Sequence, residues 1–297
     1  YSRNEKRAKE FAQKYNVDNV FTDMNEMAKS DVIDAIYIAS PNALHAEHSK
    51  IFLKNKKHTI CEKAVASNVK ELEEVIATAK KNNVLFMEAI RTNVVPSISI
   101  IKDNLSKLGT VRRYIGNYSQ YSSRYDAFKS GELPNIFNPK FSAGSLMDIG
   151  VYCIHPLVLL FGPPKELVAN GHILSSGVDG LGSILLKYDE MEAIIIHSKI
   201  TNSHIGSEIQ GENGVMLIDE IHHPEEIKII YNSGEIEDLT VKENMPNMYY
   251  EAEEFARLIR EGKIESQINS YEQSLQVMAI MERARKDMGV QFPADEN

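Results

Sequence analysis

The chain has 297 residues, 43% hydrophobic and 25% charged, with a formal net charge of −9. This is the composition of one large or two ordinary globular domains, and its acidic balance argues against nucleic acid or an anionic membrane surface as a partner. Two cysteines, Cys61 and Cys153, supply neither a disulfide framework nor a metal-ligand pattern; both sit in apolar runs, which fits buried free thiols in the reducing cytoplasm.

Taken in chain order, Ala8, Phe11, Ala12 and Tyr15 recur at helical spacing between Asn4 and Asn16. "VFTD" (20–23) reads as a short strand or turn. "IDAIYIAS" (33–40) is a strand ended by Pro41 and Asn42, and 43–55 is a helix. "HTIC" (58–61) is a strand, 68–81 a helix with Val69, Leu72, Val75, Ile76 and Ala79 on one face, and "VLFMEA" (84–89) another strand. Nearly all-apolar strands alternating with helices predict a doubly wound parallel α/β sheet. After residue 93 the pattern changes. Pro96 opens a helix, 110–121 is a long strand, and "GSLMDIGVYCIHPLVLLFG" (144–162) is a strongly apolar helix that Pro156 should kink or break. Six closely spaced strand-like runs between 165 and 240 predict an open, mostly antiparallel sheet, and helices at about 249–261 and 271–287 close the chain. The expected fold is therefore α/β plus α+β, with domains at 1–93 and 94–297. No apolar stretch reads as long enough to span a bilayer.

Ligands of doubly wound sheets bind beyond the carboxyl ends of the strands. Four features sit there. If Tyr1 ends a strand, then Ser2, Arg3 and Arg7 lie in the turn after it, where a basic cluster suits a 2′-phosphate; a solvated first helical turn explains them as well. Ser40, Pro41 and Asn42, with His45 following, form a rigid turn that either lets a ligand approach or simply caps the next helix. In "CEKA", Glu62 could accept from a ribose and Lys63 could hold positive charge beside a developing alkoxide, although Glu-Lys is more often a surface pair. On the apolar helix, Asp148 and Tyr152 are four residues apart and share a face, with His155 three further on. Asp148 and Tyr152 favour a cleft; His155 reads as a structural histidine.

In order and spacing, "SPN..H", "CEK", "MEAI" and "GSLMDIGVYCIH" resemble the Gfo/Idh/MocA family of NAD(P)-dependent oxidoreductases, over essentially the whole chain. The branch most similar contains dihydrodiol dehydrogenases and glucose–fructose oxidoreductase, in which a tyrosine stands where inositol dehydrogenases carry a histidine. The resemblance implies hydride transfer between NADP, in preference to NAD, and a CH–OH carbon of a sugar, polyol or diol. It implies Tyr152 as acid/base assisted by Lys63, with Asp148 either holding a substrate hydroxyl or orienting the pair, and with Arg91, directly after "MEAI", added to the cofactor contacts. Independently of the resemblance, the run "MEAIIIHSKI" of the second sheet is apolar on both strand faces, which predicts a homodimer, or a dimer of dimers, through that sheet. A non-catalytic sensor binding NADP or sugar is the alternative.

Two departures stand out. The family has Glu-Lys-Pro where this chain has Glu62-Lys63-Ala64, and no G-x-G-x-x-G occurs anywhere. The chain, which opens on "YSRNEK" without an initiator methionine or signal peptide, is expected to lack an upstream strand–turn–helix of about 30 residues. That loss would split the parallel sheet and weaken cofactor binding.

Overall fold

The computed structural model describes residues 1–242 and 245–296. Helix α1 (Glu5–Lys14) starts where the Asn4 side chain accepts from the Arg7 amide, and it buries Ala8 and Ala12. Tyr1 does not end a strand: residues 1–4 are irregular, tied down by the Ser2 amide donating to the Phe21 carbonyl at 3.2 Å. "VFTD" proves to be the entry to a short helix, α2 (Met24–Lys29), whose first amides donate to the Asp23 carboxylate. Six residues are too few for a periodic pattern to announce.

Strands β1 (Ala35–Ile38), β2 (His58–Glu62) and β3 (Phe86–Ala89) pair in parallel in the order β1-β2-β3. They are contiguous, so the expected split does not occur among the described strands. Crossovers run through α3 (His45–Lys54) and α4 (Val69–Asn82). Helix α4 shows how the sequence sets an element. The Asn68 side chain accepts from Glu71 N at 2.9 Å, and the Glu71 carboxylate reaches back to Ser67 N at 2.8 Å. This reciprocal cap contributes about 1 kcal/mol. Leu72, Val75, Ile76 and Ala79 are buried beneath it, and Asn83 ends the helix in the left-handed conformation.

Beyond α5 (Pro96–Asn104) comes β4 (Val111–Ser119), then the short α6 (Tyr125–Lys129), then α7 (Val151–Phe161). Seven further strands follow: β5 (Glu166–Ile173), β6 (Asp179–Lys187), β7 (Glu192–Ser198), β8 (Ser207–Gly211), β9 (Gly214–Ile218), β10 (Ile227–Tyr231) and β11 (Ile236–Asp238). With β4 they form one open sheet in the order β11-β10-β9-β8-β4-β7-β6-β5, antiparallel except for the parallel pair β4–β7. Its inner face, with Tyr114, Ile184, Leu186, Ile195 and Ile209 fully buried, packs into one core with α7 and with α9 (Tyr271–Met288).

Three findings position the site. Helix α8 (Asn247–Arg260) returns to the parallel sheet, where Phe255 and Leu258 pack on Ile60, Leu85, Met87 and Ala89. Pro156 does not break α7; the irregularity lies one turn earlier, in a wide π turn at Leu146–Gly150. The missing proline N–H costs one helical bond, but Val151, Cys153, Ile154, Leu157 and Val158 are all buried around it and hold the helix in place. Finally, the helical run Pro139–Phe161 is, by length and hydropathy, sufficient to cross a membrane, which corrects the expectation that no such stretch exists; 72% of its apolar window is buried inside the protein, as in a core helix.

Candidate active site

Strand β2 buries Thr59, Ile60 and Cys61 between two parallel neighbours, so the chain emerges at the carboxyl edge with Glu62 and Lys63. The Lys63–Ala64 peptide is cis. Opposite stands the π turn. Its first amide, Leu146 N, donates to the buried Asp179 carboxylate at 2.7 Å. At Gly150 a Cβ would meet Leu146 Cδ1 at 2.9 Å and the His197 ring at 3.2 Å, so glycine lets the turn press onto β7. The turn thereby points Asp148, and one turn later Tyr152, at the edge of the parallel sheet.

The two sides meet. Lys63 Nζ donates to the Asp148 carbonyl at 2.7 Å and to Asp148 Oδ1 at 2.9 Å, and it stands 4.9 Å from the centre of the Tyr152 ring. The Arg91 guanidinium lies 5.4 Å from the same ring. Lys199, which sequence reasoning passed over, pairs with Asp148 Oδ2. Tyr118 stacks on His222 with ring centres 3.9 Å apart, and both present edges to Tyr152 at 5.9 and 6.2 Å.

The electrostatics follow from burial and these neighbours. Burial raises the Asp148 carboxyl, but Lys63 and Lys199 overcome it and bring the value down to about 2. Burial opposes the Lys63 ammonium, and Asp148 more than restores it. Lys63 and Arg91 pull the Tyr152 pKa down, yet burial outweighs them and the phenol lies above its ordinary value of 10.0. His222 is pushed down to about 4 by burial and by Arg91, and is neutral.

The remaining residues fall into two groups. Ser2, Arg3, Ser40 and Pro41 line one pocket of about 450 Å³ with Tyr37, Leu44 and His48. Arg7 is exposed and is not in that lining. His45 does not reach the cleft. It is 1% exposed, with Nδ1 2.8 Å from the Ala64 carbonyl and Nε2 2.6 Å from the Ser40 carbonyl, so it clamps the turns after β1 and β2 together in place of the expected ligand contact. Asn42 is likewise occupied, donating to the Ser142 carbonyl at 3.0 Å across the seam. Glu62 accepts from the Tyr37 hydroxyl at 2.6 Å, and that hydroxyl is 3.3 Å from Glu251 on α8. Burial and the like charge on Glu62 push Glu251 up to about 7. His155 is structural, buried 3.4 Å from Glu88. In the segment 122–142, Tyr125 and Phe128 pack on Phe137 at 5.7 and 5.2 Å and form a cluster of their own.

These groups fit a dinucleotide. The Arg91 Nε is buried with no hydrogen-bond partner. Arg3, Ser2 and Ser40 line a pocket beside β1 with cationic and hydroxyl groups, and the Glu62 carboxylate stands at the carboxyl end of β2, the edge at which sheets of this kind bind dinucleotides.

Residues 1–90 match the oxidoreductase family with an NAD-binding Rossmann fold, GFO/IDH/MocA, and residues 105–217 match the GFO/IDH/MocA C-terminal domain. Over 296 residues the chain is 54% identical to scyllo-inositol 2-dehydrogenase (NADP(+)) IolU of Bacillus subtilis, covering 100% of this chain and 90% of that protein. It is 30% identical to trans-1,2-dihydrobenzene-1,2-diol dehydrogenase of Xenopus tropicalis, covering 98% and 89%. Among solved structures, levoglucosan dehydrogenase with NADH and levoglucosan superposes with a TM-score of 0.83 at 22% identity, over 98% of this chain and 89% of that one. The 3-ketoreductase KijD10 of Actinomadura kijaniata, with NADP and TDP-benzene, superposes at 0.85 and 22%, over 97% and 88%. The chain belongs to the GFO/IDH/MocA family of oxidoreductases.

Proposed function

We propose that the protein is an NADP-dependent dehydrogenase of a cyclic polyol, with Tyr152 moving the hydroxyl proton and Lys63 holding the charge that the reaction develops. The observation that carries this reading is the Lys63 ammonium, fixed on Asp148 and 4.9 Å from the Tyr152 ring. NADP, when bound, would supply the hydride acceptor or donor. Arg3, Ser2, Ser40 and Pro41 would hold its adenosine end, and Glu62 and Arg91 the end near Tyr152. NADP in preference to NAD rests on Arg3 and on the relative named for NADP(+); a ring polyol as substrate rests on that same relative.

The chemistry is set by Tyr152. Its phenol is raised by burial, so at neutral pH it carries its proton and is ready to donate to a carbonyl oxygen. In the oxidative direction only the phenolate fraction can accept the hydroxyl proton. Lys63 and Arg91 enlarge that fraction over what burial alone would leave. Oxidation therefore quickens as pH rises towards the tyrosine pKa, while reduction slows. Asp148 orients rather than transfers: each of its oxygens already accepts from a lysine. A sensor would need neither Lys63 nor Tyr152 so placed.

The test is nicotinamide absorbance with NADP and with NAD across inositols, aldoses and diols. Turnover of a polyol with NADP is expected; binding without turnover of any panel member supports a sensor instead. We further propose a cytoplasmic homodimer. Both cysteines are buried and free, and Val168, Leu185 and Ile194 form a cross-strand row on the outer sheet face, with Val168 58% and Leu185 46% exposed. Light scattering should report a dimer, and Leu185→Asp should weaken it.

A further inference from the structure

We propose that Lys199 is a positioning residue of this site: by holding Asp148 Oδ2 it keeps Lys63 on Oδ1 and the main-chain carbonyl, beside the Tyr152 ring, and offsets the Asp148 charge that would otherwise disfavour the phenolate. The inference rests on the reading of Tyr152 as the acid/base. No proton or hydride step assigned so far runs through Lys199, yet it is one of the most enclosed of the described lysines, 9% exposed just past β7. Its backbone is locked on both sides: its amide donates to the Gly180 carbonyl at 2.8 Å, and its carbonyl accepts from Ser122 N at 2.9 Å. The side chain therefore leaves a fixed point and ends on Asp148.

The geometry divides the carboxylate. Lys63 takes the Asp148 carbonyl and Oδ1, and Lys199 takes Oδ2. Without Lys199, the freed oxygen could draw Lys63 further onto Asp148 and away from the ring. The charge balance points the same way. The charged groups acting on Tyr152 are Lys63 and Arg91 on one side and Glu62 and Asp148 on the other, which cancel in number. The other groups beside the ring, Tyr118 and His222, are neutral, Tyr118 being pushed up to about 12 and His222 down to about 4. Glu251 faces Glu62 and Arg91, two groups removed from the phenol. Lys199 acts through Asp148: pairing with its Oδ2 offsets that carboxylate's charge, and a less negative neighbour favours a phenolate.

The experiment is the pH–rate profile of polyol oxidation with NADP for the wild-type protein and for Lys199→Met and Lys199→Arg. Lys199→Met should displace the rising limb to higher pH by about one unit, a roughly tenfold loss at fixed pH, with substrate KM and NADP affinity little changed. Lys199→Arg, which restores the charge, should recover most of the loss. Circular dichroism and NADP binding confirm a folded protein. An unmoved profile in a folded Lys199→Met overturns the proposal, as does a rise in KM with kcat and profile unchanged, which would make Lys199 a substrate contact. If Tyr152→Phe itself retains turnover, the failure belongs to the underlying reading and not to Lys199.

Discussion

The apolar helix carries two acid–base pairs across the same seam, and they come to different ends. At its start, Asp148 and Tyr152 meet Lys63 from the parallel sheet; one turn on, His155 meets Glu88 from the neighbouring strand. The residue types are equally reactive. Glu88, however, is sealed: its oxygens also receive Ser274 Oγ at 2.6 Å and Val65 N at 3.3 Å, and both members of the pair are at most 3% exposed. Lys63 and Asp148 keep 14% and 24% of their side chains exposed and face an aromatic wall. Access, not residue identity, separates the pair proposed for chemistry from the pair sealed in the core.

Substitutions can break that contrast. Lys63→Met should have the largest effect on rate, lowering kcat by about 10²–10⁴-fold, with little change in melting temperature because Lys199 still partners Asp148. Comparable rates in variant and wild type would show that the open pair does no chemistry. Glu88→Ala should do the opposite. Removing one member of a buried pair costs about 3–5 kcal/mol, read in urea unfolding, while kcat per folded molecule stays near wild type. A catalytic collapse without destabilisation would move the sealed pair into the mechanism.

A smaller effect lies in pH. The Asp148 carboxyl is held at about 2 against an ordinary 3.8. A depressed acid stabilises the fold above its unfolded value and loses that contribution as pH falls through the folded one. The difference in melting temperature between wild type and Asp148→Asn should therefore be full above pH 4 and shrink towards pH 2; a difference constant with pH would contradict the ion-pair account. The smallest effect is expected at the surface: Lys165, paired with Asp189 while 62% exposed, should tolerate Lys165→Ala with no measurable thermal shift.

The sequence made both sheets and the long helices legible because each is an apolar run whose period differs from its neighbours'. It could not announce α2 or β11, which are too short to show a period. The site was readable where motif residues sit at strand ends, as at Glu62 and Lys63. His45 misled for a physical reason: a histidine in such a turn looks like a ligand contact until two main-chain carbonyls are found to occupy its ring. Lys199, Tyr118, His222 and Glu251 were not singled out because tertiary folding alone brings them to residues far away in the chain; the lysine within "HSKI", just past an apolar strand, was the one available signal. The raised phenol of Tyr152 was missed because burial cannot be weighed from composition, and burial outweighed the lysine.

The most direct measurement is kcat for Tyr152→Phe together with its NADP dissociation constant. A phenol that moves the proton predicts a loss of about 10²–10⁴ in turnover with cofactor affinity close to wild type. Turnover preserved in a folded, NADP-binding Tyr152→Phe would contradict the account outright.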